Sequence, residues 1–182
     1  MLFTAIDTIR SELVADGINA ELGNVSEVAS SGDSGTNADI IISLINIEEN
    51  RISRDPQNFI RREAGILKKN PAVHLYLTLL FTSIKNNSGY GLSLQNITRV
   101  IQFFQKKYVF DHTNTNNLSA GIEKLVLEMN SLTFEQLNQL WSIIGNKYQP
   151  SVVYRMRMVT VDSVTDQAGA LIKEIEMQFN LK

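Results

Sequence analysis

Residues 132–159 read LTFEQLNQLWSIIGNKYQPSVVYRMRMV, and they contain the two periodicities that decide the fold. In the first half, Phe134, Leu137, Trp141 and Ile144 recur at helical spacing. Thr133 and Gln136 form a capping box, with Leu132 and Leu137 as the accompanying hydrophobic staple, and Gly145 is placed to end the helix. After Pro150 the period changes from about 3.6 to 2. Val152, Tyr154, Met156 and Met158 alternate with Val153, Arg155, Arg157, Val159 and Val161, which is the pattern of a strand with one strongly apolar face. A helix followed at once by such a strand calls for further strands beside it.

Those partners are upstream. The stretch VHLYLTLLFTS, 73–83, alternates Val73, Leu75, Leu77, Leu79 and Phe81 against His74, Tyr76, Thr78, Leu80 and Thr82. Ile40 to Ile47, IIISLINI, is a continuous β-branched run with the length of a strand covered on both faces. A short strand is expected within AELGNVSEVA. Two more amphipathic helices complete the set. The first carries Leu2, Ile6, Ile9 and Leu13 and ends near Gly17. The second is opened by Ser93, with Leu94, Ile97, Val100, Ile101 and Phe104 as its buried stripe and Lys106–Lys107 at the negative end of its dipole. Segment 122–130, IEKLVLEMN, fits a helix through Ile122, Leu125, Val126 and Met129, and fits a strand through Leu125, Leu127 and Met129. The tail 172–181 alternates through Ile175, Met177, Phe179 and Leu181 and reads as a strand, with a helix still open. The expected fold class is therefore α+β: one domain over 1–182, a mixed β-sheet with about three helices packed on it, and a long loop at about 49–71.

The 182 residues suffice for one domain with a substantial core. Apolar residues make up 43% and charged residues 20%, which excludes wholesale disorder. Seventeen basic against nineteen acidic residues leave a net charge of −2, so no global field draws in nucleic acid or an anionic membrane. No cysteine is present, which removes thiolate catalysis and cysteine-held metals. No stretch approaches the roughly 20 apolar residues of a membrane span. Asp7, Arg10 and Glu12 interrupt the N-terminal apolar pattern, so it is not that of a signal peptide, and the cytoplasm is the expected compartment.

Gly32–Gly35 spell GDSG, the surroundings of a serine-protease nucleophile. For Ser34 to react, a histidine must take its proton and a third group must orient that histidine. Only His74, on a regular strand, and His112, in the polar loop DHTNTNN, are present, and both follow the serine. No further glycine follows the tetrad, so GDSG is read as a small-residue loop. Asp33, Asn37 and Asp39 suggest calcium, but an EF-hand loop starting at Asp33 would need an acidic residue at Leu44, inside the apolar strand. The basic residues of 51–69 are offset by Asp55 and Glu63 and lack interleaved aromatics, which disfavours nucleic acid. Arg155 and Arg157 form a short basic stripe, read first as a solvated sheet face. No enzyme, cofactor or metal site is expected.

Taken in order, FTAIDTIRSEL, SLINIEENR, NPAVHLYLTLLFTS, VIQFFQKKYVF and the 131–162 block resemble the N-terminal domain of cap, or tail-terminator, proteins of phage-tail-like contractile injection systems. The resemblance spans nearly the whole chain and implies a strand at 122–130. It also implies a structural role: a homo-hexameric ring on the distal end of inner tube and sheath that stops their polymerisation. The protein would be cytoplasmic during assembly and part of the particle afterwards, with no nucleic-acid or membrane partner. Partner contacts are expected from the loops 29–39, 49–71 and 111–118, from exposed aromatics and from the tail strand. The residues concerned are Asp33, Ser34, Arg54, Arg61, Arg62, His112, Tyr148, Arg155, Arg157 and Phe179. The competing reading is a small intracellular ligand-binding or regulatory module.

Overall fold

The computed structural model describes residues 1–30, 37–50, 59–62, 65–69, 74–83, 89–145, 148–160 and 164–168. Along the chain run α1 (Leu2–Ala15), β1 (Ala20–Leu22), α2 (Val25–Ser30), β2 (Ile40–Glu49), β3 (Phe59–Arg62), β4 (Gly65–Lys69) and β5 (Leu75–Thr82). Then follow α3 (Tyr90–Lys106), β6 (Val109–Asp111), β7 (Ile122–Met129), α4 (Phe134–Ile144), β8 (Ser151–Thr160) and β9 (Val164–Ala168).

The alternating strand of the opening stretch, β8, is one of the two central strands of a six-stranded sheet ordered β1-β2-β5-β8-β7-β6. Only β1 and β2 run parallel; every other neighbour is antiparallel, so the sheet is mixed. β5 and β8 pair without a break from Leu75↔Met158 to Thr82↔Ser151. The alternation of β8 is reproduced in burial: Tyr154, Met156 and Met158 are buried against α1 and α3, while Val153 faces the other way. Leu77, Leu79 and Phe81 of β5 join the first side, and Leu80 joins Val25, Ile41 and Trp141 on the second. The sheet thus has α1 and α3 on one face and α2 and α4 on the other.

The larger core is built on aromatic rings. Phe81 meets Phe104 edge-on at 5.3 Å and Tyr154 at 5.7 Å, while the Phe104 and Tyr154 centroids lie 4.6 Å apart. Lys107 closes this layer from outside: its Nζ lies 2.6 Å from Glu12 Oε2, donates to the Asn114 carbonyl at 2.8 Å, and sits 5.0 Å from the Phe110 ring centroid.

Several expectations are corrected. The segment 49–71 is not one loop, because β3 and β4 pair within it in the register Phe59↔Lys68 to Arg62↔Gly65, and β9 adds to β4 as a third strand. A fourth helix, α2, occupies Val25–Ser30; Asn24 Oδ1 accepts from Ser26 N at 3.1 Å and its Nδ2 donates to Glu27 at 3.3 Å, an N-terminal cap. β2 is covered on both faces only over Ile40–Ser43, and from Leu44 onward most of it is exposed. α3 starts three residues earlier than expected, at Tyr90, and leaves Leu94 45% exposed while burying Phe103 instead.

Segment 122–130 is strand β7, as the resemblance implied. A register shift between Ile122 and Lys124 resets the alternation, so Ile122 and Leu125 both reach the core. That bulge gave the segment its helix-like spacing. The tail 172–181 lies outside the described residues.

Candidate partner interface

α4 is fixed at both ends and barely held between them. Thr133 Oγ1 accepts from Gln136 N at 3.3 Å, and Gln136 Oε1 accepts from Thr133 N at 3.0 Å, so the capping box is complete. Gly145 ends the helix at φ 74, a left-handed conformation that favours glycine, with its N–H donating to the Trp141 and Ser142 carbonyls. Trp141 is the helix's one buried residue, while Leu137, Leu140 and Ile144 are half-buried. Phe134, expected on the buried face, is 87% exposed, and Ile143 on the far flank is 85% exposed. The reason is the bed beneath: Ile41, Leu80 and Val153 receive Trp141, and Phe134 is two turns away, about 10 Å along the axis.

Phe134, Leu137, Asn138, Trp141 and Tyr148 enclose a groove of about 400 Å³. Tyr148 meets the Trp141 ring edge-on at 5.7 Å and is itself 55% exposed. Trp141 Nε1 has no hydrogen-bond partner among the described residues. The lining is apolar apart from Asn138 and the Tyr148 phenol, and the indole nitrogen is buried beneath it. It can take up side chains, but it offers no convergent charged groups for chemistry.

The Arg155–Arg157 stripe lies on the same face of the sheet as α4, beyond the helix. Arg155 Nη2 is 2.9 Å from Glu48 Oε2, and its guanidinium stands 3.8 Å from the Tyr76 ring centroid. Glu128 and Thr78 are its cross-strand neighbours, and Arg157 has Tyr76 and Val126. Such an exposed pair contributes about 0–1 kcal/mol, so this is a solvated face with half its positive charge already matched.

His112 belongs to a turn whose geometry is set by its neighbour. Asp111 Oδ1 accepts from the Thr113 hydroxyl at 2.5 Å, from Thr113 N at 2.9 Å and from Asn114 N at 3.2 Å. The Thr113 hydroxyl bond comes first in holding the Asp111 carboxyl below its ordinary 3.8, followed by the Thr113 amide; desolvation opposes them, and the Asn114 amide and the charge of Lys124 add smaller contributions. The turn therefore keeps these contacts above the ordinary range and loses them only as pH falls through the lowered value. Thr113→Val should move the Asp111 titration back up toward 3.8, read from its carboxyl NMR shift; an unchanged midpoint would clear Thr113 of the effect. His112 Nε2 lies 2.9 Å from the Ile122 carbonyl oxygen.

The residues expected to contact partners fall on different parts of the molecule. Glu49, Leu75, Met158, Leu125 and Phe110 form one row across the sheet, and the His112 turn leaves from that end. Tyr148 precedes Ser151, at the opposite end, seven residues of β8 or roughly 23 Å away. Arg61 and Arg62 fall in β3, opposite Ile66 and Gly65. Asp33, Ser34, Arg54 and Phe179 lie outside the described residues. The exposed flanks of α4 were missed because helical spacing locates an apolar side chain without revealing what lies beneath it. No cluster of metal-ligating side chains occurs among the described residues, and no helix there is long and apolar enough to cross a membrane.

A family model for the Pvc16 N-terminal domain matches residues 4–174. The chain belongs to the Pvc16 N-terminal domain family. Its fold is found in two solved structures that bear on this family. One is the PVC sheath/tube terminator of an extracellular contractile injection system in its extended state, with a TM-score of 0.59 and 16% identity over 100% of this chain. The other is the tube-terminating cap of the anti-feeding prophage, with a TM-score of 0.62 and 12% identity over 96% of this chain. The present chain spans 65% and 60% of those two chains. Among curated proteins no match is found. The α+β body with helices on both faces of a mixed sheet is thus a terminator fold, as the resemblance implied.

Proposed function

We propose that the chain is a structural cap of a contractile injection system, ending inner tube and sheath by forming a six-membered ring on their distal end. What supports this is a single observation: the family match over 4–174 runs through the body whose fold two terminators share. The role is non-enzymatic, and 1–182 acts as one domain. The protein assembles in the cytoplasm and stays with the particle, and its partners are its own copies, the tube and the sheath, with neither nucleic acid nor membrane among them. Tyr148, the Arg155–Arg157 stripe and the His112 turn lie on different parts of the surface and meet different neighbours. The same assignment extends to Asp33, Ser34, Arg54, Arg61, Arg62 and Phe179.

The test is electron microscopy of particles assembled from the native gene cluster with and without this chain. Without it, tube lengths should scatter and sheaths should slip from their tubes. Particles of one defined length with intact sheaths would remove the proposal. A ligand-binding module would need convergent polar groups in its pocket, and the groove at α4 offers Asn138 and the Tyr148 phenol. A metabolite panel should accordingly leave the melting temperature unchanged.

A further inference from the structure

Two exposed helix surfaces stand out for what they lack. α4 carries one charged residue, Glu135, and exposes Phe134 and Ile143 at 87% and 85%. The first half of α3, Tyr90 to Thr98, carries none and exposes Tyr90 at 64% and Leu94 at 45%. The other exposed helix surfaces among the described residues do carry charge: Asp7 and Arg10 on α1, Glu27 on α2 and Lys106 in the second half of α3. Phe3, also strongly exposed, shares its helix with the Asp7–Arg10 pair. Contact cores in protein assemblies are depleted of charge and rich in aromatics, because burying an unmatched charge is costly. Each uncharged surface is matched by the other.

Their placement matters as much as their composition. α3 lies on one face of the sheet and α4 on the opposite face. One copy cannot bring them together, but successive copies can. A surface on one side that meets a different surface on the other side of the next subunit is a head-to-tail contact, the kind that closes into a ring. We propose that the α4 groove of one copy receives Tyr90 and Leu94 of α3 from the adjacent copy. This rests on the ring reading above and names its lateral contact. The groove of about 400 Å³ has ligand-pocket size, and its aromatic lining suits an apolar side chain beside a phenol.

The absence of cysteine from the sequence makes the test direct. Leu94→Cys and Asn138→Cys are both surface changes, on α3 and on the groove rim. The double variant is assembled on its tube and sheath, oxidised and run on a non-reducing gel, with each single variant beside it. Expected is a ladder of cross-linked multimers from the double variant alone. Rings visible on particles without that ladder would overturn the contact and leave the cap reading standing. Cross-linked dimers from Asn138→Cys alone would mean that α4 meets α4, and would overturn it too. If particles carry no ring of this chain, the ring reading falls and the contact falls with it. As a second measurement, Leu94→Asp should weaken ring formation at least tenfold while leaving the circular dichroism of the free protein unchanged, and an undiminished ring would count against the proposal.

Discussion

Phe81→Ala is expected to lower the stability of the chain by about 3–5 kcal/mol, enough to leave little folded protein if the total is near the low end of 5–15 kcal/mol. The ring is fully buried on β5, a central strand, and touches Phe104 of α3 and Tyr154 of β8 edge-on at 5.3 and 5.7 Å. Truncation removes both ring contacts and opens a void that neither neighbour can fill. Phe104 is already held by Phe103 at 5.1 Å, and Tyr154 is fixed in register opposite Leu79 and Met129. Urea unfolding followed by circular dichroism measures the loss as a lowered midpoint at unchanged slope. A loss under about 1 kcal/mol would show that the core relaxes into the space, against the packing described here.

Trp141→Ala should cost about 3 kcal/mol, at the low end for its type, and the loss should be local. Trp141 is the only residue of α4 that is buried, and around it stand five other buried residues, Val25, Ala38, Ile41, Leu80 and Val153. Without the indole the helix keeps its capping box and glycine terminus and loses its anchor to the sheet. Hydrogen exchange is therefore the discriminating measurement. Amides of Phe134–Ile144 should exchange much faster, while those of β5 and β8, facing the larger core, keep most of their protection. Uniformly faster exchange would mean that the two cores unfold as one unit. The proposed contact between copies adds a second expectation for this variant, reduced cross-linking between Leu94→Cys and Asn138→Cys, since the groove is gone.

Local signals were legible in the sequence and tertiary ones were not. The box at Thr133 and Gln136, the terminus at Gly145 and the alternation of β5 and β8 depend on residues within a few positions of each other, and all are present in the structure. α2 has a comparable signal in Asn24 and Glu27, but six residues are too few to show helical periodicity. The β3–β4 hairpin escaped because Arg62 and Gly65 are joined through Glu63–Ala64, which lacks the Asn-Gly or Asp-Gly turn that usually marks such a connection. Periodicity left β7 open between helix and strand because the bulge at Ile122–Lys124 resets its alternation, and the resemblance alone implied the strand. The candidate interface was the least legible part. Phe134 and Leu94 follow their apolar patterns faithfully, and only the extent of the sheet beneath decides that both face outward. The family resemblance, carried by whole segments rather than single positions, pointed to the terminator fold where periodicity could give only its class.

The unbroken pairing of β5 with β8 has a mechanical side. Ladder bonds run across the strands, so tension applied along β8 shears all of them together, whereas tension across the sheet would open them singly. The next strand in the chain, β9, pairs with β4 in a separate three-stranded sheet. Tension that reaches β8 along its own axis therefore loads the whole β5–β8 ladder at once, from Leu75↔Met158 to Thr82↔Ser151.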